Sequence, residues 1–74
     1  MTLAEIGVAS QCRVVSAAEG HDELQSRLYA LGMYPGVELD VLRFAPTGDP
    51  IQIKIGATLM SIRKQEAALV CVEE

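Results

Sequence analysis

The sequence predicts a mainly β chain with small α content: an SH3-like, partly open barrel of about five strands carrying one inserted helix. Three observations lead there. First, the hydrophobic period is 2 over much of the chain. Val37, Leu39 and Val41 alternate with Glu38 and Asp40, and Ile51, Ile53 and Ile55 alternate with Gln52 and Lys54. Second, only one stretch keeps a helical period: Leu24, Leu28 and Leu31 stand at i, i+4 and i+7. Third, Pro35-Gly36, Pro46-Thr-Gly-Asp-Pro50 and Gly56 put turn formers between the strand-like runs. Small bent sheets hide their edges by curling, which favours the barrel. An OB-like barrel is the alternative topology.

The elements follow in order. Thr2-Leu-Ala-Glu5 has capping-box spacing and predicts one helical turn with Leu3 and Ile6 inward. Cys12 to Ala17 is the first strand, with Val14 and Val15 on opposite faces. Asp22 is the expected N-cap of the helix, with Gln25 at the reciprocal position, and Asp22 and Glu23 suit the positive end of the dipole. The helix runs from about Glu23 to Leu31. Gly32 follows it, and positive φ past a helix end suits glycine. Met33 is then placed to fold back on Leu28.

Tyr34 is pushed toward extended geometry by Pro35, and Pro35-Gly36 fits the centre of a type II turn. Val37 to Ala45 is the second strand. Its alternation slips at Val41-Leu42, which predicts a bulge or bend. Residues 46–50 form an exposed hairpin tip. Ile51–Ile55 and Ala57–Ile62 are the next strands, Arg63–Ala68 a single turn, and Leu69–Val72 the closing strand.

The 74 residues make one expected domain, residues 1–74. Half the residues are hydrophobic and 4% aromatic, so the core is aliphatic. A net charge of −4 argues against nucleic-acid binding, which leaves a basic footprint. The adjacent Arg63-Lys64 pair reads as a solvated face. No run approaches the ~20 apolar residues of a membrane span, and no signal peptide is visible. Cys12 and Cys71 lack metal-site or redox spacing and are expected as reduced, buried thiols in the cytoplasm.

Leu28-x-x-Leu31-Gly-Met-x-Pro-Gly36, then Gly48-Asp-Pro-Ile51, then Gly56-x-x-Leu59-x-x-Ile62-Arg-x-x-Glu-Ala67 closely resembles the FeoA family. These are small cytoplasmic accessory proteins of bacterial ferrous iron uptake. The connector before the first strand is commonly Pro-Gly there and is Val8-Ala9 here. The resemblance implies the SH3-like barrel. It also implies a partner, the membrane ferrous-iron transporter FeoB, through its cytoplasmic GTP-binding domain. The same domain type is appended to metal-dependent transcription repressors, so a module regulating such a repressor is the alternative function. With Met at residue 1 and no helix-turn-helix, the free-standing form is expected.

No phosphate-binding glycine motif occurs, and the lone His21 has no catalytic companion in sequence, so an enzyme is not expected. No cofactor is expected to be required. His21 and Asp22 are weak candidates for a surface divalent metal ion, although three consecutive donors, His21-Asp-Glu23, do not converge readily. The preferred reading is a binding module. Tyr29 lies off the leucine stripe, and Tyr and Met suit interface centres. The expected partner-binding surface is Tyr29, Leu31, Met33 and Tyr34, extended by the hairpin tip. Leu28 and Leu31 also hold the core spacing. Iron binding in solution is expected to be weak or absent, and any homo-oligomer weak.

Overall fold

The computed structural model describes residues 1–74. A short 3-10 turn, Leu3–Glu5, comes first. Then follow β1 (Ser10–Ala17), α1 (Asp22–Ala30), β2 (Glu38–Phe44), β3 (Ile51–Ile55), β4 (Thr58–Ile62), α2 (Lys64–Ala67) and β5 (Val70–Glu73). All five strands join one antiparallel sheet in the order β4-β3-β2-β1-β5. The architecture is the mainly β one that the alternation predicts.

The core is aliphatic. Leu3, Val14, Leu39, Val41, Ile51, Ile53 and Val70 are fully enclosed, with Leu28 and Met33 added from the helix and its exit. No polar or charged side chain is buried. Two strands carry the bends that curl the sheet. The β2–β3 register shifts between Val41 and Arg43, leaving Leu42 as the extra residue where the alternation slips. The β1–β5 register shifts between Val14 and Ser16.

Several local expectations need correction. His21, not Asp22, is the N-cap, and no side chain caps the helix. Gln25 turns instead to the strand before it, its amide donating to the Ala17 carbonyl at 3.0 Å. That bond ties α1 to the end of β1, which a capping role would have prevented. Cys71 is exposed while Cys12 is buried. Successive strand positions face opposite ways, and Cys71 sits one place from the inward Val70 and Val72. Burial first, then the negative charges of Glu74 and Asp40, push the Cys12 thiol up.

The connector Val8-Ala9 turns sharply even without a glycine. Ala9 has φ 63°, and its N–H donates to the Val41 carbonyl at 2.8 Å. A side chain in that region is strained.

Candidate functional site

The site is built at the exit of α1. Met33 N–H donates to Leu28 O at 2.9 Å and Gly32 N–H to Tyr29 O at 3.0 Å. That pair of bonds is a Schellman cap, with Gly32 at φ 98° in the position that needs it. Val37 N–H then donates to Tyr34 O at 3.2 Å, closing the turn around Pro35-Gly36, with Gly36 at φ 94°. Gly36 N–H and Val37 O bond to Val14, which pins this corner to the middle of β1.

The cap decides which side chains face out. Tyr29 is 39% exposed, Leu31 51% and Tyr34 48%. The two tyrosine rings lie edge to face, with centroids 6.4 Å apart and planes at 72°. Together they form an apolar ledge with polar tips. Met33 does not belong to its exposed surface: it is 1% exposed, a core residue. The reversal that brings its N–H back to Leu28 also turns its side chain inward, so the expectation of a surface methionine is corrected. Leu31, expected on the surface although it also holds the core spacing, is exposed and takes no part in the core. It is the C-cap residue, and the chain reverses before its side chain can reach the core.

Beside the ledge is a hollow of about 480 Å³. Leu28, Leu31 and Met33 from the helix exit, Asp49 and Pro50 from the hairpin tip, and Met60, Ile62 and Arg63 from β4 and its end all line it. The tip is therefore adjacent to the ledge. Asp49 is held there because its carboxylate accepts the Lys64 N–H at 3.0 Å. Arg27 and Glu66 form an ion pair at the rim. Met60 and Arg63 were not among the sequence-derived candidates. The signal was faint: Arg63 looked like a solvated face, and Met60 like an ordinary strand residue.

A second hollow lies over the start of α1, with His21, Asp22, Glu23, Gln65 and Glu66 among its lining residues. No three His, Cys, Asp or Glu side chains are placed to hold a metal ion. His21, Asp22 and Glu23 are consecutive and fan apart around the helix. Glu66 across the hollow is engaged by Arg27. This donor set does not fit a resident metal. No helix is long and apolar enough to cross a membrane.

The FeoA domain family matches residues 1–74. The FeoA protein of Chlorobium tepidum superposes with a TM-score of 0.89 at 38% identity, covering 97% of this chain and 68% of that one. FeoA of Stenotrophomonas maltophilia, a zinc complex described as a prokaryotic SH3 domain protein, gives 0.84 at 30% identity, covering 99% and 89%. The manganese regulator SloR gives 0.86 at 14% identity over 100% of this chain and 34% of that one. At that identity the likeness is one of fold.

Proposed function

The chain belongs to the FeoA family, which is associated with ferrous iron transport, and on that premise we propose that it docks onto the cytoplasmic GTP-binding domain of the transporter FeoB. The observation that carries the reading is the exposed ledge of Tyr29, Leu31 and Tyr34 beside an apolar-floored hollow. Aromatic side chains next to a pocket are the usual anchors of an interface, because they remove much area from water while ordering few torsions. The ledge is also rigid. Its backbone is fixed by the cap and by the two bonds to Val14, so little ordering is lost on binding.

Regulation then follows from differential affinity. A domain that binds one nucleotide state of its partner more tightly shifts the partner toward that state by the ratio of the two affinities. This action requires no catalytic group and no resident metal, and a divalent ion at His21 and Asp22 has no part in it. It places the chain in the cytoplasm, where the GTP-binding domain lies.

Binding of the isolated GTP-binding domain to the whole chain tests this. Tyr29→Glu and Leu31→Asp each put a charge on the ledge without touching a core side chain. Each is expected to weaken binding roughly thirtyfold or more, the range of an interface anchor. Wild-type affinity in both variants, with folding confirmed by circular dichroism, overturns the assignment.

A further inference from the structure

Strand β4 forms one edge of the sheet and pairs only with β3. The two-residue loop Gly56-Ala57 is closed by Ile55 and Thr58. A loop of that length is closed by a pair that exchanges both hydrogen bonds, and such pairs alternate along an antiparallel ladder. Ile53–Met60 and Ile51–Ile62 are therefore the bonded pairs. The N–H and C=O groups of Leu59 and Ser61 point away from β3. No backbone bond outside the strand ladder involves residues 57–62. Both residues are exposed, Leu59 to 69%.

Edge strands are ordinarily blunted by charge, proline or a covering segment. Thr58-Leu-Met-Ser-Ile62 has no charge and no proline. Charges of both signs lie around it, with cations in excess: Lys54 stands between Asp40 and Leu59 across the sheet, Arg43 lies opposite Gln52, and the Asp49 carboxylate accepts the Lys64 N–H. Lys54, Arg63 and Lys64 fall between Asp49 and Glu66 with no acidic residue among them. The molecule's two ion pairs are Arg13–Glu73 and Arg27–Glu66, so none of these three cations is paired. Lys54 is directly opposite Leu59, hence on the same face. Lys54, Arg63, Lys64 and Arg43 together outnumber the neighbouring Asp40 and Asp49, so this edge is net positive in a chain of net charge −4.

We propose that the β4 edge accepts an extended acidic segment of the partner protein as a sixth strand, bonded to the backbone of Leu59 and Ser61. It deepens the docking reading, on which it rests for the partner's identity, by naming the form in which the partner binds. Side chains of an added strand alternate between two faces. On the outer face, acidic side chains meet Lys54. On the inner face, apolar side chains pass beside Met60 and Ile62 into the hollow next to Leu31. Charge selects this occupant over a second copy of the chain. Two β4 edges paired together would bring two cationic hairpins within the ~10 Å over which surface charges are felt.

Amide exchange and chemical shifts of the isotope-labelled chain test the inference. The probe is a short synthetic peptide alternating glutamate with valine, against its lysine–valine counterpart. The glutamate peptide is expected to slow exchange at Leu59 and Ser61, and the lysine peptide to leave both unchanged. Ser61→Pro deletes one outward N–H at an edge position that tolerates proline, and roughly tenfold weaker peptide binding is expected. Leu59→Glu keeps the backbone and repels the acidic strand, with a similar loss expected.

Wild-type peptide binding by Leu59→Glu, or equal binding of both peptides, overturns the inference. Protection of Leu59 and Ser61 that grows with protein concentration, without peptide, also overturns it, in favour of a second copy. The GTP-binding domain separates the two readings. Binding that is lost in Tyr29→Glu but unchanged in Leu59→Glu defeats strand addition alone. Peptide pairing on β4 without any binding of the GTP-binding domain defeats the docking reading alone.

Discussion

The two edges of the sheet face the same physical problem and meet it differently. At β5, the chain's own start lies across the open side. Thr2 bridges Cys71, and Val72 N–H donates to the Met1 carbonyl at 2.9 Å. Leu3, fully buried, and Ile6 anchor that cover in the core. At β4 no segment lies across the edge, and the strand itself holds no charge or proline. One edge is spent on stability and the other is left available. In a domain this small, covering both would leave little backbone with which to meet another protein.

The largest test of that contrast removes the anchor of the cover. Leu3→Ala is expected to destabilise the fold by about 2–5 kcal/mol, as for other fully enclosed leucines. Denaturant unfolding measures it. Amide exchange should then quicken at Val72 while Leu59 and Ser61, open already, change little. A loss spread evenly over both edges would show that the cover is not a distinct element.

A smaller effect sharpens the same side. Ala9 holds φ 63° where the cover passes into β1. Ala9→Gly relieves the side-chain clash of that region but frees the unfolded chain, so a net gain below about 1 kcal/mol is expected. A lower melting midpoint would mean that the Ala9 methyl group contributes packing beyond its strain.

The smallest effect is electrostatic. Glu5 accepts the Thr2 N–H at 2.7 Å, and this bond holds its carboxyl below the usual carboxylate range. A group whose folded pKa is depressed stabilises the fold above its unfolded pKa, and that contribution fades as pH falls through the folded one. Acidification below about pH 4 is therefore expected to loosen the cover slightly. Glu5→Gln should remove that part of the acid dependence and leave exchange at β4 as it was. Identical acid profiles for the two proteins would assign the dependence to other carboxylates.

Much of the strand pattern was readable because a half-buried strand writes its burial into alternate residues. Ile51–Ile55 matches to the residue, and the slip at Val41-Leu42 marks the bulge. The cap at Gly32 was readable for a similar reason, since so few residues take positive φ. Met33 was misplaced because composition says only that methionine suits an interface. Its burial follows from the same cap, which folds it back on Leu28, so the cap outranks composition at this position.

By itself the sequence determined the element types, the aliphatic core and the corner at the helix exit, because each rests on contacts or torsions local in the chain. Only the tertiary structure decided that Leu31 faces outward, that the hairpin tip shares a hollow with it, and that β4 rather than β5 keeps an open edge. Those outcomes depend on which strands become neighbours. Pairing partners far apart in sequence are chosen by the packing of the whole sheet, and no single stretch encodes that choice.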